Sequence, residues 1–485
     1  MRQVFVPFLF GVLAAAALPH AGWIGFVYDL TPYSFPLFAV AVSVLFHATT
    51  KADTTRFHAF GASFFFMLGY FVFGLNWIGN ALLVPGNDYA WAWPLAVVGL
   101  PILLAPFLAI VMAATAPFLS RMPLGARMIS FSAAFTGAEY ARGHLFTGFP
   151  WNLPGMFWAE TLPLFQILSL VGIYGLTFLT LFWSVALGEL VRSVIMRHRV
   201  QGVLAISIAA LSFLGLFAYG MIKPPAEESA QTLQAVLVQA SIPQSEKWNA
   251  DKMMDHFYQR MAMSARPENI NDAPTLIIWP ETALPDGMLN APIIQSQIKS
   301  LLATYPKGSM LITGFLDVVP GPDGPRYYNS IAAVNGEGQA QKIYDKHHLV
   351  PFGEYIPFQS YIPLAPVARF TGMQAGQGQK TVSLPGFPSF SPLVCYEVAF
   401  TRQVVTGEDK RPTFILNLTN DSWFGDSPGP YQHLMEARAR AIEESAPLIR
   451  VSENGISAAL ATDGRLLTSL SHNQKGSSVI HLSFR

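Results

Sequence analysis

The chain has 485 residues, 52% of them hydrophobic and 12% charged, where a soluble domain carries about 25% charged residues; this excludes a protein that is soluble throughout. Thirty Lys and Arg balance thirty Asp and Glu, and the absence of a basic cluster in the C-terminal part argues against nucleic-acid binding. A single cysteine excludes an internal disulfide.

The charge deficit lies in residues 1–223, which hold sixteen of the charged side chains. The distribution predicts a transmembrane domain of about seven helices over 1–223, a connector over 224–231 and a soluble domain over 232–485. A helical span needs roughly 20 apolar residues. The candidate stretches are 4–18, 33–49, 58–83, 91–119, 128–141, 163–190 and 203–221. The first also has the marks of a secretory signal: Arg2, an apolar core and three alanines at 14–16. Six further apolar stretches and no polar domain after His20 favour a span. Arg2, Lys51, Arg56, Arg121, Arg127, Arg192, Arg197 and Arg199 fall on alternate connections, with only Arg142 on the opposite ones. The positive-inside rule then places the N-terminus in the cytoplasm and everything beyond Lys223 outside it. Glu139 lies within an apolar span, and Arg142 stands one helical turn on, where the two can pair. The segment 142–151 is broken by Gly and Pro and rich in aromatics. It reads as an interfacial aromatic belt or as a wall of a lipid-access path.

Beyond the connector, Val-, Ile- and Leu-rich runs at 233–239, 275–279, 309–316, 330–334, 393–395, 413–417, 448–451 and 456–462 suit strands covered on both faces. Residues 477–485 read as a last strand. Helices are expected over 253–263 and 430–445, the second with Pro430 in its first turn. This is a layered α/β domain.

Three polar residues follow such runs: Glu281 in Trp279-Pro280-Glu281-Thr282-Ala283, Lys346 in Tyr344-Asp345-Lys346-His347-His348, and Cys395 in Leu393-Val394-Cys395-Tyr396-Glu397. Strand C-terminal ends are where α/β domains place their chemistry. Each residue also has a plainer reading. Glu281 can stabilise a helix N-terminus, Lys346 can be a solvated loop lysine, and Cys395 can be a small buried hydrophobe. Together they are chemically complete. A carboxylate can accept the thiol proton, and an ammonium can lower the thiol pKa and steady an oxyanion. His347 and His348 are adjacent and would face opposite ways in a strand, which argues against a shared metal.

Pro280-Glu281, Asp345-Lys346-His347 and Cys395-Tyr396-Glu397 resemble the Glu–Lys–Cys motifs of the nitrilase, or carbon–nitrogen hydrolase, superfamily. With the seven-span half they resemble its membrane-bound branch, the apolipoprotein N-acyltransferase family. Thr147-Gly148-Phe149-Pro150-Trp151, Lys247-Trp248, Asn420-Asp421-Ser422-Trp423-Phe424-Gly425 and, above all, Leu349-Val350-Pro351-Phe352-Gly353-Glu354-Tyr355 carry the match. The resemblance implies a nitrilase-like αββα sandwich beside a polytopic helical domain in a bacterial inner membrane, with the catalytic domain periplasmic. It implies ping-pong acyl transfer without cofactor or metal. Glu281 would be the base, Cys395 the nucleophile and Lys346 the oxyanion stabiliser. The donor would be a phospholipid, by resemblance phosphatidylethanolamine, and the acceptor a diacylated apolipoprotein. Glu354 would support the triad, Tyr396 and Glu397 would line the site, and Trp248 and Trp423 would contact substrate chains. Residues 355–373, with Phe358, Tyr361 and Phe370, are expected to reach the bilayer and gate entry.

Ala240-Ser241 stand where the family usually shows Gly-Asn, and Glu453-Asn454-Gly455 where it shows Asn-Asn-Gly; neither is expected to touch the triad. The family commonly closes with an eighth span, whereas this sequence runs into the strand at 477–485. Two other functions fit parts of the pattern. A membrane-tethered amidase would share the triad but has no need of the spans, and a transporter or scaffold would need mid-membrane charge pairs or a degenerate triad.

Overall fold

The computed structural model describes residues 2–18, 31–197, 201–223, 232–322, 324–355, 372–404 and 411–484. The connector 224–231 and all but the ends of the 355–373 loop lie outside the described residues. The chain divides into two compact units. One comprises Met1–Ala81, Trp91–Pro224 and Asp426–Met435, and the other Leu82–Ala90, Pro225–Gly425 and Glu436–Arg485.

The first unit is helical. Its long elements are Arg2–Ala16, Thr31–Thr50, Arg56–Gly74, Ala90–Leu119, Leu124–His144, Leu168–Ile195 and Val203–Ile222. Among the described residues, Arg56–Gly74, Ala90–Leu119, Leu168–Ile195 and Val203–Ile222 are long and apolar enough to cross a membrane. The stretch expected at 58–83 ends as α-helix at Gly74 and continues as 3-10 turns over Asn76–Leu83. The cause is local. The Gly74 carbonyl accepts from the Asn152 side chain at 3.0 Å, and the Ile78 amide turns to Leu75 instead. The stretch expected at 163–190 begins its long helix later, at Leu168, and runs on to Ile195. Helices Arg2–Ala16 and Arg56–Gly74 meet backbone to backbone at Gly11 and Gly69, where a Cβ would lie 1.9 Å from the Phe66 carbonyl oxygen and 2.1 Å from that of Phe8.

Glu139 and Arg142 form the expected pair, both fully buried. Arg142 also donates to the carbonyls of Phe149 and Trp151, so it fixes the Gly/Pro-broken segment as well as neutralising the glutamate. Within the same unit, the Trp77 and Trp151 indoles both donate to Gln432 Oε1, at 3.0 and 2.9 Å.

The second unit contains two sheets. The first holds β1 (Thr232–Gln239), β2 (Thr275–Ile278), β3 (Met310–Val319), β4 (Arg326–Val334), β5 (Ala340–Asp345) and β11 (Gly476–Ser483), in the order β11-β1-β2-β3-β4-β5. The second holds β6 (Phe390–Val394), β7 (Phe414–Thr419), β8 (Leu448–Ser452), β9 (Ser457–Leu460) and β10 (Leu466–Leu470), in the order β10-β9-β8-β7-β6. Each sheet contains three parallel strands, β1-β2-β3 inside the first and β6-β7-β8 along one side of the second. The sheets pack face to face through Leu237, Ile278, Ile312 and Ile331 from one and Val394, Leu416, Ile449 and Ala459 from the other. The opposite face of the first sheet, with Val236, Ile277, Trp279 and Leu311, is covered by Phe257 of helix Met253–Met263 and by Ile294, Ile298 and Leu302 of helix Pro292–Leu302. Burial on both faces explains why β2, β6, β7 and β8 carry apolar runs without alternation.

Candidate active site

Because β2, β5 and β6 point their C-terminal ends into one region between the sheets, the residues just past them converge. Glu281 follows β2 by three positions, Lys346 follows β5 by one, and Cys395 follows β6 by one. The Glu281 turn lies tight on β3. Gly314 donates its amide to the Pro280 carbonyl at 3.1 Å, and a Cβ on Gly314 would sit 2.6 Å from that oxygen. Cys395 has φ 51°, the left-handed region that a residue with a Cβ rarely adopts. This strained strand-to-helix turn sets the thiol off from the strand axis.

The charges are arranged unequally. Lys346, 1% exposed, bonds Glu354 at 2.8 and 2.9 Å and stands 3.8 Å from Glu281 Oε1. Asn329, on β4, donates through one amide nitrogen to Glu281 Oε1 at 2.7 Å and Glu354 Oε1 at 3.1 Å. Glu354 Oε2 also accepts the Val350 amide at 2.8 Å. Glu281 Oε2 is buried with no hydrogen-bond partner among the described residues. Burial raises the Glu281 carboxyl above the usual carboxylate range; Lys346 pulls it down and Glu354 pushes it up. Burial works to lower the Lys346 ammonium, but Glu354 and Glu281 reverse this and hold it protonated. The Cys395 thiol is pushed up to about 12, first by burial and then by the negative charge of Glu281, against the pull of Lys346. The sulfur is therefore held as a protonated thiol, with the Glu281 carboxyl and the Lys346 ammonium acting on it in opposite senses.

The other residues named from the sequence take the following positions. Glu397 is fully buried, and its carboxylate stitches two turns together. Oε2 accepts the Val394 amide at 2.7 Å, while Oε1 accepts the Tyr344 hydroxyl and the amides of His347 and His348 at 2.9, 2.9 and 3.1 Å. It thus ties the lysine turn to the cysteine turn from behind, where a residue lining the site was expected. Tyr396 packs edge-on against Phe400, whose ring stacks on His348 at 3.7 Å. Trp248 and Trp423 are half-buried. Trp248 follows Lys247, whose ammonium lies 5.9 Å from its ring centroid, and Trp423 sits on the turn Asp421–Phe424.

Sequence reading missed several supporting groups. Arg450, fully buried on β8, donates to Asn417 at 2.5 Å and Asp421 at 2.6 Å, and Asn417 in turn reaches the Cys395 carbonyl at 3.4 Å. The signal was a charge inside an apolar strand run. Lys247 donates to the Glu281 main-chain carbonyl at 3.0 Å and lies 3.8 Å from Glu453. Glu453 is thus one side chain removed from Glu281, joined to its main chain through Lys247.

Two face-to-face sheets flanked by helices, with a carboxylate, a lysine and a cysteine at the strand ends, define a carbon–nitrogen hydrolase fold, and the family model described as Carbon-nitrogen hydrolase matches residues 234–484. The model described as Apolipoprotein N-acyltransferase N-terminal domain matches residues 4–186. The Apolipoprotein N-acyltransferase of Rhodopseudomonas palustris is 35% identical over 98% of this chain and 88% of its own, and that of Brucella melitensis is 36% identical over 98% and 88%. The chain belongs to the apolipoprotein N-acyltransferase family. Among solved structures, XC1258 from Xanthomonas campestris, a CN-hydrolase superfamily protein, aligns with 19% identity over 52% of this chain and 91% of its own, with a TM-score of 0.36.

Proposed function

We propose that this chain is a membrane acyltransferase that moves the sn-1 acyl chain of a phospholipid, phosphatidylethanolamine in the first instance, to the α-amine of a diacylglyceryl-cysteine at a lipoprotein N-terminus. The observation that carries this reading is the buried Glu281 Oε2, without a hydrogen-bond partner among the described residues, in a site shared with the Cys395 thiol and the Lys346 ammonium. Cys395 Sγ attacks the ester carbonyl as Glu281 accepts its proton. Lys346 faces the oxyanion. Collapse expels the lysophospholipid alkoxide, which takes the proton from Glu281, and leaves a thioester on Cys395. The amine then attacks the thioester and gives Glu281 a proton. The second collapse releases the amide, and the proton returns to sulfur. Such an amine has a reference pKa of about 7.7–8.0, so a modest pull frees its lone pair.

A membrane location follows from the substrates. Each methylene withdrawn from the bilayer costs about 0.8 kcal/mol, so the acyl chains must stay in lipid during transfer. The apolar helices fit this need. The loop charges support an inner-membrane orientation with the N-terminus cytoplasmic and the catalytic domain periplasmic. Trp248 and Trp423 are assigned to the substrate chains, Glu354 to Lys346, and Tyr396 and Glu397 to the shape of the nucleophile turn.

The test is intact-protein mass spectrometry after incubation with a phospholipid labelled in its sn-1 chain. The expected result is one labelled acyl group on Cys395, lost on treatment with hydroxylamine. Label absent from Cys395, or found on another residue, contradicts the proposal.

A further inference from the structure

Lys247 is a buried ammonium that the reaction scheme leaves without a task. Its side chain is 3% exposed and ties the turn after β1 to the main-chain oxygen of Glu281. Its carboxylate neighbour, Glu453, is already occupied: Glu453 Oε2 lies 2.7 Å from Arg260 Nη2 and 3.8 Å from Lys247, and its other oxygen takes the Ile242 amide at 3.3 Å. One carboxylate between two cations leaves one positive charge in excess. Among the described residues, Glu281 and Glu354 share Lys346 as their one ion-pair partner, which leaves one negative charge in excess. Asp421 and Arg450 cancel each other. An uncompensated buried charge is costly, so the two surpluses belong together.

We infer that Lys247 is a positioning residue for the nucleophile: it holds the Glu281 turn and supplies the counter-charge that lets Cys395 give up its proton. This rests on the acyl-transfer reading only in taking Cys395 as the nucleophile. The groups facing Lys247 are Glu453, Glu281, Arg260 and Cys395. Burial lowers its ammonium to about 8, against the pull of Glu453 and Glu281. The excess charge is thus present at neutral pH and is shed as pH rises through about 8.

The chain's one cysteine makes the test clean. The rate of Cys395 alkylation by iodoacetamide is followed from pH 6 to 10 in the full-length protein, with neither lipid nor lipopeptide, so failure of transfer and failure of this inference are read separately. Lys247→Met slows alkylation by about tenfold below about pH 8, where the wild-type lysine is charged, and the two profiles draw together above it. Lys247→Arg restores the charge and keeps the profile at or below that of wild type. A merely structural role for Lys247 changes thermal stability but leaves the profile in place. Superimposed profiles for Lys247→Met and wild type overturn the inference. Should Lys247→Met fail to fold, Lys247→Arg decides alone, and a profile above wild type overturns it.

Discussion

In the helical unit, Arg142 meets Glu139 with two of its guanidinium nitrogens, so that both carboxylate oxygens are engaged, and spends further donors on the carbonyls of Phe149 and Trp151. In the sheet unit, Lys346 is equally buried but closes on Glu354, stands 3.8 Å from Glu281, and leaves Glu281 Oε2 with no hydrogen-bond partner among the described residues. Both are glutamate–cation arrangements withdrawn from water, and only the first is satisfied. A buried acceptor left unpaired costs about 1–3 kcal/mol. In the acyl transfer proposed above, the oxygen that bears this cost is the one that collects the thiol proton. The comparison separates a charge pair that holds structure from one that we propose is kept for reaction.

The largest effect sought is total loss. Cys395→Ser should abolish both thioester and product, measured by mass spectrometry of enzyme and lipopeptide. Next, Glu281→Gln should slow thioester formation by about 10²–10⁴-fold, as general-base loss does, while lipid binding and melting temperature stay close to wild type. Burial raises the Glu281 carboxyl, so the acid limb of kcat/KM should fall above the ordinary carboxylate range, with activity lost as pH drops through it. Glu354→Gln sharpens the contrast. Glu354 pushes the Glu281 carboxyl up and Lys346 pulls it down, so removing the first frees the second to close on Glu281. The acid limb should then move to lower pH while the rate falls, which a pH–rate series reads directly. In the satisfied pair the pattern should invert. Arg142→Met should cost about 3–5 kcal/mol of stability, the usual loss for an uncompensated buried charge, with thioester yield per folded molecule unchanged in a detergent-phase melt and adduct assay. The smallest effect expected is at Trp248, where removal of a half-buried ring should raise KM for the lipid donor by the equivalent of about 0.5–1.5 kcal/mol.

Much of the sheet unit was legible because its central strands are covered on both faces. The apolar runs at 275–279 and 413–417 mark β2 and β7 to within two residues. Strand β5 escaped because its exposed residues, Gln341 and Lys342, break the run. Helix Pro292–Leu302 also went unread, although Ile294, Ile298, Leu301 and Leu302 share one face at helical spacing. In the helical unit, apolarity marked the stretches but not their ends. The early end of the helix at Gly74 depends on a side chain 78 positions away in sequence. At the site, Glu281 and Cys395 were recognisable because each follows an apolar strand run, and Lys346 through the Asp345-Lys346-His347 motif. The groups that set their charge balance, Asn329, Lys247, Arg450 and Glu453, reach them only through the fold. Glu453 shows the gap best. Its sequence neighbourhood gave no reason to connect it with Glu281, and one lysine joins them.

The central claim is that this site holds an acyl group for an amine and not for water. It is tested most directly by preparing the Cys395 acyl-enzyme with a labelled sn-1 chain, removing excess lipid, and adding a diacylated lipopeptide with a free N-terminus. The account predicts that the label leaves the cysteine only when the lipopeptide is present and appears in its N-terminal amide. Label released as free fatty acid at the same rate with and without the lipopeptide would contradict it.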